Sequence, residues 1–159
     1  MNFIIILFFA FFLLIIYLDR SYANRIVKNE IKKLNKLENR VIYQKINASC
    51  SNFTSGRKKL GFHYRNADLY FLEDAFIIVG SYFIFSKKIF RSFLVLTHHV
   101  EDYKSIFSRA DNVLTPKRLN LKSSNGEVYI EFGEASFTST NVSIRLKNLS
   151  EAEKERINI

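Results

Sequence analysis

Apolar residues fill the first part of the chain without interruption. Residues 3–18 are all aliphatic or aromatic, with no charge, glycine or proline among them. As a helix rising 1.5 Å per residue, this run is about 24 Å long, and its flanks bring it close to the roughly 30 Å hydrocarbon core of a bilayer. The pattern predicts a transmembrane anchor over residues 1–18.

A cleaved signal peptide is the alternative for this segment. Ser21, Tyr22 and Ala23 resemble a small-x-small cleavage site at a plausible distance from the apolar run. A signal peptide normally begins with a basic region, however, and only Met1 and Asn2 precede the run. The sequence therefore favours a retained single-pass anchor, with cleavage after Ala23 as the alternative.

The segment after the apolar run is strongly basic. Residues 19–45 hold eight lysines and arginines against three acidic residues. Basic residues close to a membrane span stay on the cytoplasmic side, so we expect the N-terminus outside and the C-terminal domain in the cytoplasm. Attraction to anionic lipid, about 1 kcal/mol per basic residue near the surface, acts in the same direction. Topology and lipid attraction thus explain the net charge of +9 without a nucleic-acid partner.

Apolar positions in this basic segment follow a helical period. Val27, Ile31, Leu34 and Val41 recur at spacings of four, three and seven residues, with lysine and asparagine on the other faces. The spacing predicts a juxtamembrane helix in residues 19–45 that continues the anchor and leans on the folded domain. A short coiled-coil seam between two chains is the alternative, and the oligomeric state stays open.

Beyond residue 45 the pattern changes twice. Residues 46–59 have a loop-like composition and are predicted to be a linker. From residue 60 onward, alternation and short apolar runs are typical of β-strands. The predicted strands are residues 60–72, 76–79, 82–85, 93–97, 118–122, 127–132 and 142–147. Residues 60–159 are therefore expected to form one mainly β domain.

Turn and cap signals connect these predicted strands. Gly80-Ser81 and Asn125-Gly126 are two-residue hairpin signals, so antiparallel pairing is expected. Residues 100–109 are predicted to form one short turn of helix. Ser150 and Glu153 have the spacing of a capping box, which predicts a short C-terminal helix.

Four strands, three strands and a final helix are the element order of the pleckstrin-homology (PH) superfold. Residues 60–157 resemble that superfold in this order, which implies a seven-stranded antiparallel barrel capped by the helix. Residues 67–80 and 125–157 are also similar to small single-span membrane proteins of flavobacteria that have no assigned activity. This resemblance implies a bacterial, membrane-tethered PH-like domain and supplies no catalytic residue.

A basic loop beside the first strand often binds lipid phosphates in PH-like domains. The resemblance therefore implies a lipid- or phosphate-binding site formed by Arg57, Lys58, Lys59, Arg65, Lys87, Lys88 and Arg91. Clustered cations gain energy near an anionic surface, and arginine grips phosphate with two hydrogen bonds. A solvated basic surface without a ligand is the simpler interpretation of the same residues.

Few residues suggest catalysis. His98 and His99, followed by Glu101 and Asp102, are the most suggestive group, but no third metal ligand has a readable spacing. Cys50 has no histidine placed to activate it and cannot form an internal disulfide. We therefore expect no enzyme, no metal and no cofactor, although a small hydrolase using the histidine pair is a minor alternative.

The leading hypothesis is a membrane-tethered, non-enzymatic interaction module. Its partners would be the lipid bilayer and either anionic lipid headgroups or a membrane protein. The second hypothesis is an exported periplasmic binding protein, which follows if the chain is cut after Ala23.

Overall fold

In the part of the chain that the structure describes, eight strands form one curled sheet, flanked by helices. The computed structural model describes residues 2–56, 64–107, 113–122, 126–133, 140–157 and 159. The elements are α1 (Asn2–Asn35), a 3-10 turn (Glu38–Arg40), β1 (Val41–Gly56), β2 (Asn66–Leu72), β3 (Ala75–Ile84), β4 (Lys87–Thr97), α2 (Val100–Ile106), β5 (Val113–Leu114), β6 (Arg118–Asn120), β7 (Val128–Phe132), β8 (Thr140–Leu146) and α3 (Glu151–Glu155). The sheet is a half-barrel with the strand order β5-β4-β3-β2-β1-β8-β7-β6. The mainly β class with an N-terminal apolar helix and a short C-terminal helix is confirmed, but the strand count of seven is wrong.

One unbroken helix, α1, contains the apolar run and most of the predicted juxtamembrane helix. Its apolar N-terminal half is exposed, and the helix is long and apolar enough to span a membrane. In its second half, Val27 and Leu34 are buried against the sheet. This face is covered within one chain, so it does not offer the seam that a coiled-coil dimer needs. The helix ends at Asn35 rather than near residue 45, because the chain turns at Glu38–Arg40 and enters β1.

The predicted linker over residues 46–59 is wrong as far as the structure describes it. Residues 46–56 belong to strand β1, and residues 57–59 lie outside the described part of the chain. Small side chains explain the error. Ala48, Cys50 and Thr54 occupy buried positions of the strand, and most residues between them are serine or asparagine, so the segment has a loop-like composition.

Strand β1 joins the two halves of the curled sheet. Its first half pairs with β2 and its second half, Cys50–Gly56, pairs with β8, both antiparallel. Within the pairing with β2, the register shifts between Lys45 and Ala48, where Asn47 has a positive φ of 57°. An extra residue of this kind bends a strand and increases its twist. The bend lets one strand of 16 residues serve both halves.

The hairpin predicted at Gly80-Ser81 is also wrong. Residues 75–84 form one strand, β3, and Gly80 lies at an irregularity in its pairing with β4. A Cβ atom at Gly80 would overlap the ring of Tyr64, so the glycine makes room for a side chain and not for a turn. The actual turn is Phe85-Ser86, because Ile84 pairs with Lys87 across the hairpin. Strand β4 accordingly starts at Lys87 rather than at residue 93.

Strands β2, β3 and β4 have core on both faces, which explains their continuous apolar runs. Phe71, Ile78 and Leu94 point into the curl of the sheet. Ile77 and Val95, on the opposite face, are covered by α1 and α2. The other half of the sheet has one buried face. In β7 and β8 the inward residues alternate with outward ones as predicted, and the inward set is Val128, Ile130, Phe132, Val142, Ile144 and Leu146.

One strand pair departs from the expected antiparallel hairpins. After β4, the chain forms α2 over Val100–Ile106, which confirms the short helix predicted there as far as the described residues reach. It then returns to pair β5 with β4 in parallel. With two residues, β5 is too short to give a hydrophobic period, so the sequence pattern missed it.

The C-terminal helix α3 is attached to β1 by a polar network. The predicted capping box is confirmed, since Glu153 N donates to Ser150 Oγ at 3.2 Å and Ser150 N donates to the Glu153 carboxylate at 2.8 Å. The same carboxylate accepts hydrogen bonds from Lys45 Nζ at 2.8 Å and Tyr43 Oη at 3.0 Å. Burial raises the pKa of Glu153, but the hydrogen bonds from Lys45, Ser150 and Tyr43 outweigh it and lower the pKa to about 2.

This network predicts a loss of stability in acid. Between pH 4.5, the ordinary pKa of the carboxyl, and about 2, the unfolded chain binds a proton that folded Glu153 does not. Stability is therefore complete above this window and falls as the pH drops through it. We expect Glu153→Gln to cost about 1–2 kcal/mol at neutral pH and to flatten this part of the pH profile. Urea unfolding between pH 2 and 7, monitored by circular dichroism, measures both effects.

The exposed Glu155 on the same helix provides the control. Glu155→Gln should leave the unfolding free energy and its pH dependence near the values of the parent chain. Equal effects of the two substitutions would contradict the role assigned to the Glu153 network.

Candidate functional site

A groove lies where α1 passes the hairpin formed by β3 and β4. We call it the juxtamembrane groove, and its volume is about 360 Å³. From α1 it is lined by Leu13, Ile16, Tyr17, Arg20, Ser21, Asn24 and Lys28, and from the hairpin by Tyr82, Ile84, Lys87 and Ile89. The α1 residues recur at helical spacing, so one face of the helix forms one wall and the hairpin forms the other.

Two polar contacts fix the hairpin against the helix. The Asn24 side-chain oxygen accepts a hydrogen bond from the backbone N–H of Phe90 at 3.0 Å. Arg91 Nη1 lies 3.7 Å from the carboxylate of Asp19. Further along α1, Val27 and Leu34 pack on the outer face of the sheet. The position of the hairpin along the helix is therefore set by both polar and apolar contacts.

The lining of the groove changes from apolar to cationic along the helix. Along α1, Leu13 and Ile16 lie at the end nearer the N-terminus, and Arg20 and Lys28 follow on the same wall. On the hairpin, Lys87 lies between Ile84 and Ile89 in the sequence. These three cations are exposed, and none is in an ion pair with another residue that the structure describes. The groove can accept a molecule with an apolar part and an anionic part.

The seven residues predicted to bind lipid or phosphate are not brought together. Lys87 lines the groove. Arg91 lies beside it but approaches Asp19. Arg65 lines a different hollow of the surface, together with Asn52 and Lys147. Lys88 is engaged inside the fold, and the remaining three, Arg57, Lys58 and Lys59, lie outside the described residues.

Lys88 has a structural role that the sequence did not reveal. Its Nζ lies 2.6 and 2.7 Å from the two carboxylate oxygens of Asp68 and 2.8 Å from the side-chain oxygen of Asn47. Asp68 is 4% exposed, and it also accepts the backbone N–H that the bulge at Asn47 releases from the sheet. Lys88 therefore neutralises a buried carboxylate and holds the bend of β1.

Arg20 and Lys28 were not among the predicted site residues. Both belong to the basic segment that the sequence analysis assigned to topology. Their spacing of eight residues places them on one helical face, which is a readable signal. The opposite wall was not readable, because the hairpin turn was predicted at the wrong residues.

The other candidate residues have ordinary surroundings. Burial raises the pKa of the Cys50 thiol to about 12, so it stays protonated inside β1. His98 and His99 are exposed at the end of β4. In the described ranges, no three metal-ligating side chains come together. His63 lies outside those ranges.

Fold and groove together define a mainly β domain carried on a helix that is long and apolar enough to span a membrane. Comparison with known proteins adds no family to this description. A scan against protein-family models, a search of curated proteins and a search of solved structures each found no match.

Neighbouring lysines on β4 should respond differently to substitution. Lys88→Met leaves the buried Asp68 carboxylate without its cation, and we expect a loss of roughly 2–4 kcal/mol in unfolding free energy. Lys87→Met removes the same charge from an exposed site and should change it by less than about 0.5 kcal/mol. Urea unfolding of the two variants in detergent measures the difference. Equal losses would contradict the separate roles of the two lysines.

Proposed function

We propose that the protein is a membrane-tethered, non-enzymatic interaction module whose juxtamembrane groove holds one anionic phospholipid. The observation that supports this proposal is the order of residues along the groove. Leu13, Ile16 and Ile84 come first, and the cations Arg20 and Lys28 follow on the side away from the apolar run. In a membrane-spanning α1, this order matches the order of acyl chain and headgroup in a phospholipid.

The length of the groove agrees with the headgroup and part of one acyl chain of such a ligand, which is what its volume of about 360 Å³ can hold. Leu13 and Lys28 are fifteen residues apart on α1, which corresponds to about 22 Å along the helix axis. An acyl chain bound at the Leu13 end would contact apolar side chains while its headgroup reached the cations. Arg20 can grip a phosphate group with two hydrogen bonds, and Lys28 and Lys87 add positive charge.

A PH-like architecture for the β domain is part of this proposal. Strands β1 to β4 form an antiparallel meander, β6 to β8 follow, and α3 closes the chain. Leu149 and Ile157, which flank α3, belong to the core inside the curl. These features support the assignment. The additional strand β5 and the covering of the sheet by α1 depart from it.

The alternatives predict different products. Cleavage after Ala23 would give a periplasmic binding protein that starts at Asn24 and lacks most of one groove wall. A cytoplasmic or membrane protein as the ligand would make binding independent of lipid headgroup charge. A hydrolase using His98 and His99 would lose its activity when both are replaced by alanine while folding is preserved.

The lipid proposal predicts a charge-specific loss of binding. We replace Arg20, Lys28 and Lys87 together by glutamine in the full chain, embedded in phosphatidylcholine nanodiscs containing some phosphatidylglycerol. Preferential retention of phosphatidylglycerol, measured by native mass spectrometry, should fall about tenfold or more, because each cation contributes about 1 kcal/mol near an anionic headgroup.

A control variant removes the same charge from other positions on the same helix. Arg25, Lys32 and Lys36 are exposed and do not line the groove. Their combined replacement by glutamine should leave most of the preference intact. Equal losses in the two triple variants would reduce the effect to general attraction between a basic helix and an anionic surface. Displacement of the bound lipid by inorganic phosphate would indicate a phosphate site without a role for the acyl chain.

The proposed topology predicts an uncleaved chain with its domain in the cytoplasm. Cys50 is 5% exposed and therefore unsuitable for labelling, so we place Asn39→Cys, at an exposed position, in a Cys50→Ala background. A membrane-impermeant maleimide should label this variant after permeabilisation and not in intact cells, and the mass should be that of the full chain. A product starting at Asn24, or labelling with only the outer envelope opened, would contradict the proposed anchor and orientation.

A further inference from the structure

The tip of the β3–β4 hairpin presents apolar side chains to the surroundings. Phe85 is 99% exposed, and its neighbours Phe83 and Ile84 are also exposed. A contact with another part of the described chain therefore does not explain the phenylalanine. Exposed aromatic and aliphatic residues grouped at one protruding turn are typical of a surface that meets an apolar partner.

The backbone at this turn is unfavourable for the residue it carries. Phe85 and Ser86 have positive φ angles of 45° and 66°. A two-residue hairpin turn of this kind favours asparagine and glycine, and a bulky side chain is disfavoured in the left-handed region. An exposed phenylalanine at this position opposes the local preference of the chain without improving the core. Its presence calls for a role outside the folded domain.

The tip lies beside the apolar part of α1. Asn24 contacts Phe90, and Ile84 and Lys87 line the groove together with Leu13. Five residues of hairpin separate Phe90 from Phe85 and eleven residues of helix separate Asn24 from Leu13, and both distances are about 16 Å. The tip is therefore roughly level with Leu13.

This level decides where the tip lies relative to a bilayer. If the hydrocarbon region ended before it reached the level of the tip and of Leu13, it would contain only residues 3–13 of α1, a length of about 16 Å. That length is far below the roughly 30 Å core, which even the full run of residues 3–18 barely spans. The membrane boundary must then lie beyond Leu13 on the domain side, and the tip must lie within the lipid.

We propose that the β3–β4 hairpin tip inserts Phe85 and Ile84 into the same leaflet that α1 enters. This inference rests on the proposed function, in that α1 spans the membrane. Lys87 follows the tip directly and can extend its ammonium group to the headgroups while its stem stays in the apolar layer. The insertion gives the domain a second attachment beside its helix, which fixes the side of the domain that faces the membrane.

Depth-sensitive fluorescence tests the insertion in the full chain. In a Cys50→Ala background, Phe85→Cys and Asn39→Cys are each labelled with an NBD fluorophore in vesicles of phosphatidylcholine and phosphatidylglycerol. We expect the label at residue 85 to emit at shorter wavelength and to be quenched by spin-labelled lipid acyl chains. The label at residue 39, in the 3-10 turn at the far end of α1, should emit as in water. Water-like emission at both positions in a chain that resists alkaline extraction would overturn the insertion alone.

Two further results keep the inference distinct from the proposed function. Release of the chain from vesicles by alkaline extraction would overturn both, because α1 would then not span the bilayer.

Phe85→Asn tests the role of the phenylalanine without a label. In detergent its unfolding midpoint should be equal to or higher than that of the parent chain, because asparagine suits a positive φ. A lower midpoint would mean that Phe85 stabilises the fold itself, and this would overturn its assignment to the membrane.

Discussion

The continuity of α1 is the constraint on which the rest of the structure depends. The helix runs from Asn2 to Asn35 without a break, so its exposed apolar half and its packed half share one axis. Val27 and Leu34 pack the helix against the outer face of the sheet, and Asn24 accepts a hydrogen bond from the hairpin. The apolar half of α1 and the β domain are therefore joined by continuous helix and not by a flexible linker. The orientation of the domain is set by the direction in which the helix leaves it.

The same packing explains the unusual composition of the central strands. A sheet with one face in water would alternate apolar and polar residues. Here Ile77 and Ile78 are both buried, because the curl of the sheet covers one face and the helices cover the other. Attachment of α1 thus contributes to folding. Losing the helix would expose apolar residues on β2, β3 and β4.

The parts of the fold that the sequence predicted are those with an undisturbed local signal. The apolar run, the alternation in β7 and β8, and the Ser150–Glu153 capping box are each decided by neighbouring residues. The errors have tertiary causes. Strand β1 was missed because small side chains, Ala48 and Cys50, occupy its buried positions. Gly80 was misread as a turn residue because its missing side chain makes room for the ring of Tyr64.

The candidate site was harder to predict for a related reason. A count of positive charge does not distinguish a lysine that neutralises a buried carboxylate from one that faces a groove. Lys87 and Lys88 are adjacent in sequence, but alternation on the strand and the bulge at Asn47 place only Lys88 next to Asp68. Likewise, one wall of the groove is the β3–β4 hairpin. The position of its turn depends on which strands pair, and this could not be predicted from neighbouring residues alone.

Charge pairing in the folded chain provides the final argument for an anionic ligand. The cations that the domain uses for its own architecture have carboxylate partners close by: Lys45 pairs with Glu153, Lys88 with Asp68 and Arg40 with Asp74. Arg20, Lys28 and Lys87 have no such partner among the described residues, a property that they share with other exposed cations of α1. The groove cations differ from those in their position beside an apolar wall. An apolar group that enters the groove beside these cations would displace the water that hydrates them, which costs free energy. A negative charge on the same ligand would offset this loss of hydration. An amphiphile with an anionic head meets both requirements in one molecule, whereas a free anion would leave the apolar wall uncovered.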